Sequence, residues 1–300
     1  MKTLHHILYR LMAALIAVLT LACTSEIELD QPYYEPKIVV DGYIETGQFA
    51  HVYLTWSSPF LTQYDSASIR ATFINNATLT LTTATGDSEV MTLFRNNAFF
   101  PPFVYRTTRL KGEEGGTYTL TVNYKGKQVT ATTTLPAVPT LGDLIMEPVS
   151  DTTGYLLAEV QAAATQPTYL FVQTKSQLAK DNYHPSRIPV MLLEPSDPPI
   201  MKRLSVFRSP ATNLHLLDTL STFYEDWPFQ LFALEDTVMV KIGAIDETSF
   251  DILKSLFVDQ AIQNNPFAFN TAGIVTNIQG GIGRWTGIAT APARLYIGHQ

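Results

Sequence analysis

The sequence predicts a mostly β protein: an immunoglobulin-like β-sandwich followed by a larger β-rich domain, sandwich or barrel-like, with one α-helix near 246–263. Three observations predict it. Short segments alternate apolar and polar side chains with period two, and Gly, Pro, Asn or Asp punctuate them. A helical stripe is carried by one stretch alone, from Asp246 onward. The chain has a single cysteine, so no disulfide braces the fold, and a composition 46% hydrophobic must hold it by apolar burial.

Residues 1–22 read as an export signal of the lipoprotein type. Lys2 and Arg10 supply positive charge, Leu11 to Leu21 the apolar core and Ala22 the small closing residue. The apolar run is roughly a dozen residues, short of the ~20 that a membrane-spanning helix needs. Cys23 follows directly, and a thiolate is the nucleophile that takes up a diacylglycerol. Lipid attachment at Cys23 is the expectation, each buried acyl CH₂ contributing about 0.8 kcal/mol. Residues 23–36 form a tether that begins with the acidic Thr24-Ser25-Glu26-Ile27-Glu28-Leu29-Asp30. That run resembles the export tag of Bacteroidota surface lipoproteins. It implies an outer-membrane, lipid-anchored protein that faces the cell surface.

Residues 37–135 form the predicted sandwich. Lys37 to Glu45 is rich in β-branched residues. His51 to Trp56 alternates, with Val52, Leu54 and Trp56 on one face. Ala77 to Thr82 alternates too, Gly86-Asp87 turns, and Glu89 to Phe94 returns. The clearest hairpin joins Gly116–Tyr124 to Gln128–Thr134 through Lys125-Gly126-Lys127. Tyr118, Leu120, Val122 and Tyr124 lie on one side, which means a sheet covered on one face. About seven such strands in 100 residues match an immunoglobulin-like sandwich. Pro136 and Pro139 interrupt the pattern, so a domain boundary is placed at Leu135–Thr140.

Residues 141–300 form the predicted second domain. Leu156 to Ala164 and Thr168 to Gln173 read as strands, with Gln166-Pro167 between them like a hairpin turn. Prolines recur across 181–213, which reads as a long loop or a set of short edge segments. Val238 to Ile245 reads as a buried strand. Asp246 or Thr248 caps the helix, and Phe250, Leu253, Leu256 and Phe257 form its apolar stripe. Asn277 to Gly283 is glycine-rich but lacks the lysine and the strand-turn-helix setting of a phosphate cradle. It reads as a bend where one backbone passes close to another.

The formal net charge is −7, and losing Lys2 and Arg10 with the signal makes the rest two units more negative. That argues against nucleic acid as a partner. With Cys23 acylated no thiol is left for metal or catalysis. His51, His184, His215 and His299 show no ligand spacing, so neither a metal site nor a cofactor is expected. No hydrolase elbow, zincin or P-loop motif occurs, so no catalytic residue is assigned. The neighbouring acids Glu113-Glu114, Glu225-Asp226, Glu235-Asp236 and Asp246-Glu247 read as solvated turns and a helix cap. Two aromatic groups are candidate contact surfaces for a glycan or peptide, with core packing as the alternative. One is Phe99 to Tyr105; the other is Phe223, Tyr224, Trp227 and Phe229.

Several segments in order resemble a Bacteroidota lipoprotein family known as domain of unknown function 4249. They are Cys23 with Glu26–Asp30, then Pro36–Glu45, Gly116–Val122, Ile245–Phe250, Asn265-Pro266-Phe267 and Thr276–Gly287. Phe250-Asp251-Ile252 stands where two aromatics flanking one residue are expected, and Trp285 where a smaller aromatic is. The resemblance implies a lipid-anchored surface binding or accessory subunit. Its expected partner is a TonB-dependent outer-membrane receptor in nutrient uptake, and no catalytic residues carry over. The alternatives are a hydrolase with an unrecognised site in 181–230, or a structural or adhesive surface lipoprotein.

Overall fold

A computed structural model describes residues 34–59, 65–95, 101–178, 182–208, 231–262 and 275–298. The expected lipid attachment at Cys23 and the aromatic group Phe223, Tyr224, Trp227 and Phe229 lie outside the described residues. In chain order the elements are β1 (Ile38–Glu45), β2 (Phe49–Trp56), α1 (Ser66–Ala71), β3 (Thr78–Thr83), β4 (Ser88–Val90), β5 (Thr92–Arg95), β6 (Phe103–Lys111), β7 (Thr117–Tyr124), β8 (Lys127–Thr134) and β9 (Leu141–Pro148). There follow β10 (Thr153–Gln161), β11 (Thr168–Ser176), β12 (His184–Leu193), β13 (Met201–Val206), β14 (Phe232–Ala233), β15 (Thr237–Ile245), α2 (Glu247–Ile262), β16 (Ile282–Thr290) and β17 (Arg294–Ile297). The fold is mostly β, as the alternation predicts.

One long sheet runs in the order β12-β11-β15-β16-β1-β2-β6-β5, with β17 also paired to β15. Two four-stranded sheets accompany it: β4-β3-β7-β8, and β13-β10-β14 with β9 on β10. The apolar members of the alternating strands meet in one continuous core. It takes Val40, Val52 and Leu54 from the long sheet and Leu79, Leu120 and Val129 from the first short sheet. From the other half it takes Val172, Val240 and Ile242 of the long sheet with Leu156, Val160 and Val206 of the second. The long sheet is thus the common layer of two sandwiches.

This arrangement corrects the boundary placed at Leu135–Thr140. β1 and β16 pair in parallel, from Val39 opposite Ile282 to Glu45 opposite Ile288, so the last part of the chain completes the first sandwich. Leu135 is fully buried, and the described residues from 36 onward belong to one compact unit. The prolines there mark a passage between sheets and not a linker.

Two further expectations change in the structure. Glu89 to Phe94 is two strands: β4 pairs with β3, β5 pairs with β6, and buried Met91 carries the chain from one sheet to the other. β10 and β11 are not a hairpin, since each belongs to a different sheet. The proline-rich stretch holds two strands, β12 and β13, each at the edge of its sheet, so of its two readings the edge segments are what the structure shows. Pro185 and Pro189 fit within β12 because it is an edge, where a missing N–H disrupts no inner ladder.

The helix and the glycine bend agree with the sequence. Asp246 caps α2: its Oδ1 accepts from Ser249 N at 2.6 Å and its Oδ2 from the Thr133 hydroxyl at 3.1 Å. Phe250 and Leu253 bury against Phe171, Ile245 and Ile288, so α2 covers part of the long sheet's other face. At the bend, a Cβ on Gly283 would sit 2.0 Å from the Val40 carbonyl oxygen, and one on Gly281 2.6 Å from that of Ile38. Only glycine lets β16 enter beside β1. Among the described residues no helix is long and apolar enough to cross a membrane.

Candidate functional site

Strand alternation sends Val40, Gly42 and Ile44 of β1 into the core and leaves Asp41, Tyr43 and Glu45 on the opposite face. On β2 the same logic puts Ala50, Val52 and Leu54 inside and His51 and Tyr53 outside. On β6, Tyr105 and Thr107 are buried, and Val104 and Arg106 face out. Strand register then builds a row across five strands. Thr92 is opposite Arg106, Arg106 opposite His51, His51 opposite Tyr43, and Tyr43 opposite Thr286.

Tyr43 and His51 stack, ring centroids 5.3 Å apart and planes 11° from parallel. His51 Nδ1 lies 2.9 Å from the Phe49 carbonyl oxygen. A carbonyl only accepts, so Nδ1 carries the proton, and in the neutral ring Nε2 keeps its lone pair. Burial pushes the His51 pKa below its ordinary value. The Phe49 carbonyl opposes that, Arg106 adds to it, and Glu45 opposes it. Burial likewise pushes the Tyr43 hydroxyl up to about 12, helped by Tyr53 and Glu45. Both groups of the stack are therefore uncharged at neutral pH.

Arg106 differs from three arginines that pair with acids. Arg109 pairs with Asp87 at 2.7 Å, Arg203 with Glu159 at 3.2 Å and Arg284 with Asp41 at 2.7 Å. Among the described residues no carboxylate pairs with Arg106. Its guanidinium lies 4.3 Å from the Phe94 ring centroid and 5.8 Å from that of Phe49. Its Nε is shut from solvent and donates to no oxygen or nitrogen.

Two recesses open on this face and share His51. The first, about 240 Å³, is lined by His51, Tyr53, Phe94, Pro101, Pro102, Val104 and Arg106. The second, about 450 Å³, is lined by Tyr43, Glu45, Gln48, His51, Lys241 and Thr290 among others. At the second, Lys241 and Glu45 form an ion pair at 2.5 Å, and the Thr290 hydroxyl is buried without a partner. Among the described residues no group of three or more His, Cys, Asp or Glu side chains is placed to hold a metal ion.

Of the aromatic group at 99–105, Phe99 and Phe100 lie outside the described residues, and the rest divides between the two roles open to it. Tyr105 is core, its hydroxyl donating to the Ile74 carbonyl and accepting from Ala77 N. Pro101, Pro102 and Val104 line the first recess. Of the acid pairs, Asp236 is not a solvated turn: it is buried and accepts from the Ser176 hydroxyl and Leu178 N. His184 lies on β12, away from the row. Arg106, Phe94 and Lys241 carry no sequence motif; the alternation Val104, Tyr105, Arg106 is the one local sign that Arg106 points away from the core.

Fold and face together define a β-sandwich protein with an open, partly aromatic sheet face. Residues 24–292 match the family described as a domain of unknown function, DUF4249, and the chain belongs to that family. No curated protein matches it. A crystal structure of a DUF4785 family protein from Legionella pneumophila is similar over 69% of this chain and 50% of its own, at 12% identity and a TM-score of 0.22. The chain thus spans about half the length of that protein.

Proposed function

We propose that the protein is a lipid-anchored binding or accessory subunit of the cell envelope, working beside a TonB-dependent outer-membrane receptor in nutrient uptake. One observation carries this reading. Cys23, the single cysteine, follows a positively led apolar segment and a small residue, and an acidic tether comes next. The resemblance to outer-surface lipoproteins supports the location. The open recesses beside His51 support binding as the activity.

The N-terminal peptide of protein purified from its own membranes tests the anchor. The expected mass is that of an acylated Cys23 with residues 1–22 removed, and Cys23→Ala should release the chain from the membrane fraction. Crosslinking on intact cells should then recover a receptor. An unmodified Cys23 in the native protein would overturn the anchor. A native, acylated protein that crosslinks to no receptor would overturn the partnership.

A further inference from the structure

We propose that the recess at Arg106 is a binding site for the free C-terminal residue of a peptide, with the carboxylate on Arg106 and an apolar side chain against Phe94. The argument begins with charge. Arg106 has no acidic partner among the described residues, and its buried Nε donates to nothing. Buried donors are seldom left so, because the lost hydration goes uncompensated. The Phe94 and Phe49 rings hold the guanidinium plane but accept hydrogen bonds only weakly. A planar fork held on an aromatic face is suited to a carboxylate, which it meets with two parallel bonds.

The walls say what the carboxylate is attached to. Phe94, Pro101, Pro102 and Val104 are apolar, and among the described residues Arg106 is the one cation lining the recess. One cation in an apolar wall matches a monoanion with an apolar body. A phosphate dianion would leave charge unpaired. The volume, about 240 Å³, is below the roughly 300–1,000 Å³ typical of sites that enclose a whole small molecule. It suits the end of a longer one. His51 adds the third element. Its Nδ1 is occupied by the Phe49 carbonyl, and Nε2 remains an acceptor for one N–H beside the carboxylate. Carboxylate, neighbouring N–H and apolar side chain are together what a peptide's last residue offers.

This inference names a ligand for the binding reading above and rests on it, but not on the anchor. The full chain carrying Cys23→Ala keeps acyl chains out of the measurement, so failure here and failure of the membrane test remain distinct. The probes are N-acetylphenylalanine, its C-terminal amide, acetate and inorganic phosphate, titrated by calorimetry. N-acetylphenylalanine should bind saturably, and the amide and acetate at least tenfold more weakly. Arg106→Gln should lose the acid's advantage, and Arg106→Lys should recover part of it. Amide binding within twofold of the acid would overturn the proposal without any variant. So would phosphate binding as tightly as the acid, unchanged affinity in a folded Arg106→Gln protein, or no saturable binding at all.

Discussion

The indole Nε1 of Trp285 donates to the backbone carbonyl of Tyr118 at 3.0 Å, joining β16 to β7 across the first sandwich and across 167 positions of sequence. Trp285 is fully buried, and a Cβ on Gly42 would lie 2.8 Å from its ring. The large ring and the absent side chain beside it are one packing unit. Trp285→Ala should cost about 3–5 kcal/mol, as large-to-small core changes do. Trp285→Phe should keep most of the volume and lose the indole's bond to a carbonyl that also belongs to the β7–β8 ladder, costing about 0.5–1.5 kcal/mol. Urea unfolding of the two variants separates packing from hydrogen bonding. Equal losses would mean that the ring's packing contributes nothing, and a phenylalanine variant as stable as the wild type would mean the same of the indole N–H.

A second prediction concerns the glycine bend. Gly283 has φ +114°, and a Cβ there would strike the Val40 carbonyl. Gly86 also has positive φ, at +89°, but nothing lies within 4 Å of its missing Cβ. Gly86→Ala should therefore cost only backbone strain, about 1 kcal/mol. Gly283→Ala should cost that and the displacement of β16 from β1, more than about 3 kcal/mol. Unfolding midpoints of the pair decide it. Similar losses would show that the clash is relieved elsewhere.

What the sequence revealed, and what it hid, follows from the range of each interaction. The hairpin β7–β8 was legible because Tyr118, Leu120 and Val122 alternate on a strand whose partner is next in sequence, and Lys125 and Gly126 take the positive φ that a two-residue turn needs. The Asp246 cap and the Phe250 stripe were legible for the same local reason. The pairing of β1 with β16 was not, because nothing in Ile38–Glu45 encodes a partner more than 200 residues away. That one pairing turns two apparent domains into a single unit. Met91 hid its change of sheet, since a buried residue between two strands looks like the middle of one. Arg106 was invisible as a site because its meaning lies in the acid that is not opposite it, a fact of register alone.

Asp246 supports the third prediction. Oδ1 caps α2, and Oδ2 reaches the Thr133 hydroxyl and, at 3.4 Å, Thr134 N on β8. The carboxylate thus ties the helix start to the first sandwich. Asp246→Ala should lose both roles and cost about 2 kcal/mol. Asp246→Asn should keep the cap, since asparagine caps as well as aspartate. Its amide N–H₂ would then face the Thr134 N–H, so part of the loss should remain. Complete recovery in the asparagine variant would assign the whole effect to the cap.

The ion pair of Glu45 and Lys241 gives the fourth. Glu45 is 8% exposed, so its charge is held in place by Lys241 at 2.5 Å. Lys241→Met should leave a buried carboxylate without its partner and cost about 3 kcal/mol. Replacing both partners, Glu45→Met with Lys241→Met, should cost less than the single change, because no charge is then stranded. A double-mutant cycle measures this. A double variant worse than the single would mean that the pair stabilises the fold beyond offsetting its own desolvation.

The last prediction turns on His51. Its folded-state pKa lies below the ordinary 6.5, chiefly through burial, with Arg106 contributing in the same direction. The unfolded chain therefore takes up the proton at a higher pH than the native one. The stability this neutral ring contributes is fully present above about 6.5 and is lost as the pH falls from there toward the folded-state pKa; below that value the loss levels off. The groups around the ring are Arg106, Glu45 and Tyr43. Tyr43, at about 12, stays neutral across this range. Glu45 is the neighbouring carboxylate that favours the charged ring, against burial and Arg106. Urea midpoints of the wild type should fall between pH 7.5 and 5.5 more steeply than those of His51→Gln, which has no proton to bind at this position. Parallel pH profiles for the two proteins would show that the imidazole is as easily charged in the fold as in water, and the stacked, Nδ1-protonated neutral ring would have to be given up.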